Sequence, residues 1–329
     1  MGGGPSGSYG QSTTSGKGTS LVKPVMLAIV GDSAAGKTTL TAGIVRLLGD
    51  QRIAVVRTDD YHRFDRAQRR EMDITPLHPD CNHMDVMAQH LRLLAAGEPV
   101  IKPVYDHKTG GFAPPEYVEP RPFVLVEGLL GLATKPLREC YTIKVFLDPP
   151  EELRRQWKVE RDCTERGYAT EQVLRELQRR EPDSAAFIRP QREWASLVVR
   201  FEPPEPPDEG FSVRMVLRPT ISHRDLIDVA QKAAADGCQS ISVELGRDEG
   251  HPADLLRIAG EIAPEETEYV ESLLWERMSF EHHLRRDDIG LFLQGTRLRH
   301  SDSLAITQLF ITFHLLNQAA EHAAEAKGR

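Results

Sequence analysis

Residues 31–38 hold the most distinctive chemical pattern in the sequence, which reads G-x-x-x-x-G-K-T. Gly31 and Gly36 let the backbone turn until its N–H groups point at phosphate oxygens, and a helix that begins there presents its positive end to the same anion. Lys37 can reach the outer phosphates, and the Thr38 hydroxyl can ligate Mg²⁺. The pattern therefore predicts a site for ATP with Mg²⁺. We expect the nucleotide to be held by Gly31, Asp32, Ser33, Ala34, Ala35, Gly36, Lys37, Thr38 and Thr39.

Acidic residues that follow two apolar runs could work beside that loop. Residues 52–58 read as a buried strand that ends at Asp59 and Asp60, and residues 122–126 read as another that ends at Glu127. In open parallel sheets, sites gather at the carboxyl ends of the strands. We therefore expect Asp59 to be a catalytic carboxylate and Glu127 to bind Mg²⁺ directly or through water. Asp60 stays open as a competitor for the role of base.

A charged helix predicted over residues 151–181 carries a third group of candidates. Lys158 and Arg161 lie three residues apart and so share a helix face, and Arg166 follows them. Three cations at the mouth of a phosphate site could clamp the group in transfer. The alternative is a solvated helix with internal Glu/Arg pairs.

The elements that must position these residues alternate between strand and helix. Residues 25–30, just before the loop, and residues 143–147 read as further buried strands. Apolar residues at helical spacing predict helices at 39–48 and 84–96. This alternation predicts an α/β fold in which helices flank a mostly parallel sheet.

Two polar stretches lie between these elements. Residues 63–73 are strongly charged and predict a mobile segment over the site. Residues 105–111 (YDHKTGG) predict a turn-rich loop with clustered Tyr105, His107 and Lys108 side chains. Loops of this kind commonly carry function.

The composition is that of an ordinary globular protein. Of the 329 residues, 40% are hydrophobic and 27% are charged, which is enough for a substantial core. The net charge of −8 gives no sign of nucleic acid or an anionic membrane as a partner. No apolar run reaches the ~18 residues that span a bilayer. The cysteines lack C-x-x-C spacing, which favours a reduced cytoplasmic protein without a disulfide or zinc framework.

The domain organisation follows from changes in composition. Residues 1–20 are rich in Gly, Ser and Thr and predict a disordered tail, followed by a nucleotide-binding core at 21–201. Residues 202–210 (EPPEPPDEG) predict a Pro-rich linker. Residues 211–329 predict an α+β extension of the same sheet, which we expect to provide a homodimer interface. Within that extension, residues 253–260 suggest a helix.

These parts are those of phosphoryl transfer to a hydroxyl group. A glycine-rich loop with Mg²⁺ holds ATP, a carboxylate accepts the hydroxyl proton, and cations stabilise the spreading charge. A GTPase would also need a guanine-reading motif such as N-K-x-D, which the sequence lacks. The short spacing from Lys37 to Asp59 favours a small-molecule kinase.

Taken together, several segments resemble the phosphoribulokinases. The resemblance runs from residue 24 to about 317 and is carried by residues 31–39, 59–66 (DDYHRFDR), 102–110 (KPVYDHKTG), 126–129 (VEGL), 157–167, 214–220 (RMVLRPT) and 303–309 (SLAITQL). The glycine-rich loop is shared with many proteins. The second and third segments are far more specific and separate this chain from the related uridine kinases.

The resemblance implies ATP-dependent phosphorylation of the 1-hydroxyl of ribulose 5-phosphate to ribulose 1,5-bisphosphate, a step of the Calvin cycle. Asp59 matches the family's catalytic base, and Glu127 matches an acidic residue involved with metal. Other matching positions contact the sugar phosphate or stabilise the transition state: His62, Arg66, Tyr105, His107, Lys158, Arg161 and Arg166. Asp162 would orient a neighbouring Arg.

Structural alternatives remain beside these roles. Asp59 could cap a helix, His62 could be a surface histidine stacked on Phe64, and His107 and Glu127 could have no chemical role. Leu130 stands where many family members carry His, and residues 33–35 (SAA) lack the cysteine of a thiol switch. A uridine kinase-like enzyme or another sugar-phosphate kinase is the alternative reaction. A non-catalytic nucleotide-binding regulator is the alternative from another class.

Overall fold

A computed structural model of the chain describes residues 23–164, 166–203, 210–278 and 289–327. The predicted tail at 1–20 and most of the predicted linker (204–209) lie outside the described residues. No helix in the described ranges is both long and apolar enough to cross a membrane.

Strands and helices alternate through the first half of the chain and mix in the second. The described strands are β1 (Val25–Gly31), β2 (Ile53–Arg57), β3 (Val100–Asp106), β4 (Gly111–Val118), β5 (Phe123–Gly128), β6 (Ile143–Leu147), β7 (Leu197–Glu202), β8 (Ser212–Leu217), β9 (Ile241–Asp248), β10 (His251–Ile258), β11 (Leu291–Gln294) and β12 (Arg297–His300). The described helices are α1 (Lys37–Leu48), α2 (Arg66–Glu71), α3 (Met84–Ala95), α4 (Lys135–Arg138), α5 (Glu151–Thr164), α6 (Thr170–Asp183), α7 (Arg224–Ala235), α8 (Pro264–Arg277) and α9 (Asp302–Lys327).

One large sheet organises the described part of the chain, with strand order β2-β5-β1-β6-β7-β8-β10-β9. The first five strands of that order are mutually parallel. β8 joins β7 antiparallel, and β10 and β9 continue the sheet in the same antiparallel manner. The prediction of an α/β fold with a mostly parallel sheet and C-terminal strands is confirmed. The exact domain boundaries stay a prediction.

The two faces of β1 point into separate cores, as alternation along a strand requires. Val25, Leu27 and Ile29 pack with residues of α1 and of the C-terminal helices. Met26, Ala28 and Val30 pack with residues of α3. All seven residues of β1 are buried, which is typical of a central parallel strand covered on both faces.

The C-terminal helix α9 lies directly against the helix that follows the glycine-rich loop. A Cβ atom at Gly43 of α1 would come within 2.0 Å of the Gln308 side chain of α9. The buried Gln308 amide donates to the Thr39 carbonyl at 3.2 Å and accepts from the Gly290 N–H at 2.8 Å. The missing side chain at position 43 therefore allows this close approach.

Three sequence-based assignments differ from the structure. Residues 253–260, suggested as a helix, lie mostly in β10, where Leu256 and Ile258 face one core and Ala253 faces the other. The predicted turn-rich loop at 105–111 forms the tip of a β3–β4 hairpin, and it is the two strands of that hairpin that were not predicted. Its prolines hid the strand signal, because Pro cannot donate to a ladder. The predicted helix over 151–181 is two helices, α5 and α6.

Candidate active site

The glycine-rich loop joins β1 to α1, as its motif predicts. Gly36 has φ of 93° and Ala34 has φ of 65°, so the loop passes twice through the left-handed region. A Cβ at Gly31 would lie 2.7 Å from the Leu147 carbonyl oxygen of β6. Glycine is therefore required at 31 by close backbone approach and is favoured at 36 by conformation.

Lys37 is buried within this loop. Its Nζ donates to the carbonyl oxygens of Gly31 at 2.9 Å and of Asp32 at 2.7 Å. Burial lowers the pKa of Lys37, although the carboxylates of Glu127 and Asp32 oppose that shift. An incoming phosphate would offer this ammonium group anionic oxygens in place of neutral carbonyls, which is a stronger interaction.

The two predicted metal ligands meet at the carboxyl edge of the sheet. The Thr38 hydroxyl donates to Oε1 of Glu127 at 2.6 Å, although the residues are 89 positions apart. A hydroxyl and a carboxylate are the hard oxygen ligands that suit Mg²⁺, which usually takes few protein ligands and keeps water and phosphate oxygens. Among the described residues no cluster of three or more His, Cys, Asp or Glu could hold a metal ion alone. The donor set thus fits Mg²⁺ bound together with ATP.

The structure separates the two adjacent aspartates. Asp60 is buried, and its carboxylate accepts from Lys102 Nζ at 2.7 Å and from the Tyr105 N–H at 3.0 Å. The Asp59 side chain is 32% exposed, and its Oδ2 lies 3.5 Å from Nε2 of His107. Asp59 lies inside the short helical turn Thr58–Tyr61 and not at its N-cap, so the capping alternative is wrong. Of the two carboxylates, Asp59 is the one that a substrate can reach.

The predicted acceptor-side residues Arg66 and His62 have different environments. The Arg66 guanidinium donates to the His107 carbonyl oxygen, and its backbone N–H donates to Gly110 O at 2.8 Å. His62 is buried and bonds Asn82 through Nδ1 at 2.7 Å, so the alternative of a surface histidine is wrong. Burial lowers the pKa of His62, against the raising influence of Asp59.

Tyr105 is also buried and has a packing role that the sequence did not reveal. Its hydroxyl accepts from Arg69 at 2.5 Å, and its ring meets the rings of His62 and His107 edge-on. Arg69 was missed because a single Arg in a charged helix carries no signal of burial. Direct substrate contact by Tyr105 stays a prediction.

The three predicted cations converge on one carboxylate, that of Asp162. Lys158 Nζ lies 2.5 Å from Oδ2, while Arg161 Nη2 and Arg166 Nη1 lie 2.9 Å and 3.4 Å from Oδ1. Burial, and then repulsion from Arg161, lowers the pKa of Lys158 to about 8. Burial also acts to raise the pKa of Asp162, but the neighbouring cations outweigh it and lower that pKa. A fully solvated helix is therefore the wrong description, because Lys158 and Asp162 are both buried.

The Asp32 side chain has a structural role that the sequence did not reveal, and its contact with the nucleotide stays a prediction. Its carboxylate accepts hydrogen bonds from Ser184 Oγ and from the Ser33 N–H, the latter at 2.6 Å. These bonds stabilise the conformation of the loop. No sequence signal points to Ser184, which lies 152 residues away.

Comparisons with known proteins identify the family of the chain. A family model described as the phosphoribulokinase/uridine kinase family matches residues 26–205. The phosphoribulokinase of Synechocystis sp. is 38% identical over 185 residues, which cover 56% of each chain. A uridine kinase of Streptococcus equi subsp. zooepidemicus is 31% identical over 187 residues, covering 54% of this chain and 88% of that one.

The solved phosphoribulokinase from Rhodobacter spheroides shares the fold. It superposes with a TM-score of 0.55 at 18% identity and covers 79% of this chain and 98% of its own. The chain spans about half the length of the curated phosphoribulokinases that it matches.

Proposed function

This chain belongs to the phosphoribulokinase/uridine kinase family, and we propose that it transfers the γ-phosphoryl group of ATP to the 1-hydroxyl of ribulose 5-phosphate. The observation that carries the proposal is the contact of Arg66 with the His107 backbone, since the ring of His107 lies near the partly exposed carboxylate of Asp59. A cation that bonds the backbone of His107, whose ring lies 3.5 Å from Asp59, fits an acceptor that already carries a phosphate group. A nucleoside acceptor has no such charge.

Each part of the site has a role in this reaction. The Asp59 carboxylate takes the proton from the acceptor hydroxyl as the oxygen attacks the γ-phosphorus. Arg66 and His107 orient the sugar phosphate, and His62 supports them from the interior. Thr38 and Glu127 would hold Mg²⁺, which would neutralise negative charge on the ATP phosphates.

Cations complete the charge balance around the phosphoryl group. Lys37 exchanges its two loop carbonyls for the outer phosphates of ATP. Lys158 and Arg161 stabilise charge on the group in transfer, while Arg166 extends toward the acceptor. Asp162 acts as a positioning residue, since it holds all three cations in one cluster.

A uridine kinase-like activity is the second candidate. Leu130 favours it, because this side chain is 2% exposed and packs with Leu77, Leu129 and Ile188, so it offers no polar contact. The match to a uridine kinase over 88% of that relative points the same way.

An acceptor panel separates the candidates. Purified protein is supplied with ATP and Mg²⁺ and with ribulose 5-phosphate, ribose 5-phosphate, fructose 6-phosphate, uridine or cytidine. We expect ADP release with ribulose 5-phosphate and none above background with the nucleosides. Turnover of uridine with no turnover of ribulose 5-phosphate would reject the proposal. ATP binding without turnover of any acceptor would favour a nucleotide-binding regulator.

A further inference from the structure

Two consecutive residues at the end of α6 contact two different sides of the candidate site. Ser184 bonds the glycine-rich loop at Asp32, and Asp183 bonds Thr75 in the segment that leads to the acceptor side. We propose that Asp183 and Ser184 are positioning residues, with Ser184 holding the ATP loop and Asp183 holding the acceptor segment. We call this pair the α6 tandem. The inference deepens the proposed function and depends on it.

The contact with the ATP loop is buried and continuous. The Ser184 hydroxyl donates to Oδ2 of Asp32, whose Oδ1 accepts from the Ser33 N–H at 2.6 Å. Arg154 Nη1 donates to the Ser33 carbonyl at 3.0 Å and lies 3.5 Å from Oδ1 of Asp32. Asp32, Arg154 and Ser184 are each less than one-tenth exposed. The second and third residues of the loop are thus fixed through side chains that never need to touch ATP.

The contact with the acceptor side continues into the interior. The buried Thr75 hydroxyl donates to Oδ2 of Asp183 at 2.6 Å. The next residue, Pro76, accepts through its carbonyl from Asn82 Nδ2 at 3.2 Å, and Asn82 Oδ1 lies 2.7 Å from Nδ1 of His62. Hydrogen bonds therefore lead from the α6 tandem to a histidine that packs against Tyr105.

The local backbone explains why neighbouring residues can reach two segments. Pro182 lies inside α6 and has no N–H to donate, and a π-helical turn follows at Ser184–Ile188. Such turns widen a helix and are frequent at functional sites. Since successive helical side chains point about 100° apart, Asp183 and Ser184 face different partners.

A purely structural role makes a different prediction. If the α6 tandem only stabilised the fold, its loss would lower the melting temperature and leave both ligand affinities alone. If it positions the loop and the acceptor segment, each half of the tandem controls one ligand.

The first test removes the contact with the loop and needs no acceptor. Ser184→Ala should weaken binding of Mg-ATP by ~3- to 10-fold in calorimetric titration, because the loop loses a fixed hydrogen bond. Ser196→Ala is the matched control, since Ser196 is equally buried and bonds Lys144 between β6 and β7. The control should lower the melting temperature without changing ATP affinity. Unchanged ATP affinity in Ser184→Ala would overturn the inference.

The second test addresses the acceptor side with shape-matched variants. Thr75→Val should raise KM for the acceptor ~3- to 10-fold with KM for ATP unchanged, and Thr75→Ser should restore the original value because it keeps the hydroxyl. The inference would be overturned if Thr75→Val and Thr75→Ser changed the acceptor KM equally. It would also be overturned if Thr75→Val raised KM for the acceptor and KM for ATP equally. Failure of the proposed function would instead appear as no turnover of ribulose 5-phosphate by the unmodified protein.

Discussion

Nζ of Lys102 lies 2.7 Å from Oδ2 of Asp60 in the interior of the protein, and this ion pair occupies one of the two adjacent carboxylates. Lys102 is 3% exposed and has Glu116 as its second carboxylate partner, at 2.9 Å. A buried pair of this kind is costly to break from one side. Substitutions of Asp59 and of Asp60 should therefore have opposite effects on turnover and on stability.

Asp59→Asn should lower turnover by about 100- to 10,000-fold, because the acceptor hydroxyl loses its proton acceptor. Its ATP affinity and melting temperature should stay as they are, since Asp59 is partly exposed. Asp60→Asn should instead lower the free energy of unfolding by about 3 kcal/mol and change turnover per folded molecule far less. Rate assays and urea titrations on both variants measure this, and the reverse pattern would assign the base to Asp60.

Removal of the Thr38 hydroxyl should change the requirement for metal. Thr38→Val should raise the Mg²⁺ concentration for half-maximal rate by about tenfold or more, because one hard oxygen ligand is lost. Thr38→Ser is the control that keeps the hydroxyl bonded to Glu127, and its Mg²⁺ curve should overlay that of the unmodified protein. Identical Mg²⁺ curves for Thr38→Val and Thr38→Ser would show that the Thr38 hydroxyl does not bind the metal.

The cation cluster on α5 predicts a dependence on pH. Because the pKa of Lys158 is lowered to about 8, kcat/KM for the acceptor should decline as the pH rises through about 8 and this charge is lost. Lys158→Arg should move the decline to higher pH, since a guanidinium stays charged. An unmoved profile would show that another group titrates.

Loss of stability caused by the titration of Lys158 cannot account for that decline. The fold disfavours the protonated form of Lys158, so its deprotonation adds stability between about pH 8 and its ordinary pKa of 10.5. Melting temperatures recorded across the same pH range provide the check.

Arg66 should govern the acceptor and not the nucleotide. Arg66→Ala should raise KM for the sugar phosphate about 10- to 100-fold, because a charged hydrogen-bond donor next to His107 is lost. KM for ATP should change less than twofold. Arg70→Ala, on the same helix but exposed, serves as the control. Equal rises in both KM values would count against this assignment.

Much of the fold follows from local patterns in the sequence. The apolar run of β1, the glycines of the loop and the helical spacing in α1 together predicted a strand, a turn and a helix in the correct order. The β3–β4 hairpin was not predicted because Pro103, Pro114 and Pro115 interrupt its strands. The ladder also shifts register between Lys102 and Val104. β10 was not predicted as a strand because the adjacent Leu255 and Leu256 face opposite sides of the sheet. The sequence therefore shows no alternation of apolar and polar residues there.

The sequence predicted which residues form the candidate site, but not which residues their side chains contact. Motif and resemblance identified Asp59, Arg66 and Lys158, but no pattern links Asp60 to Lys102, which lies 42 residues further along. The contact between Ser184 and Asp32 spans 152 residues and depends on how α6 packs. Partners of this kind are set by tertiary packing, which local spacing does not encode.

Gly43 and Gln308 also constrain how this protein can be recombined with its relatives. Consider a chimaera that joins its first 200 residues to a C-terminal half from another protein. The foreign C-terminal helix must then pack closely against α1 at Gly43, which has no side chain. Conversely, a donor of the N-terminal half with even a methyl group at that position would push the incoming helix away from the nucleotide loop. Successful fusions should therefore inherit both positions from the same parent.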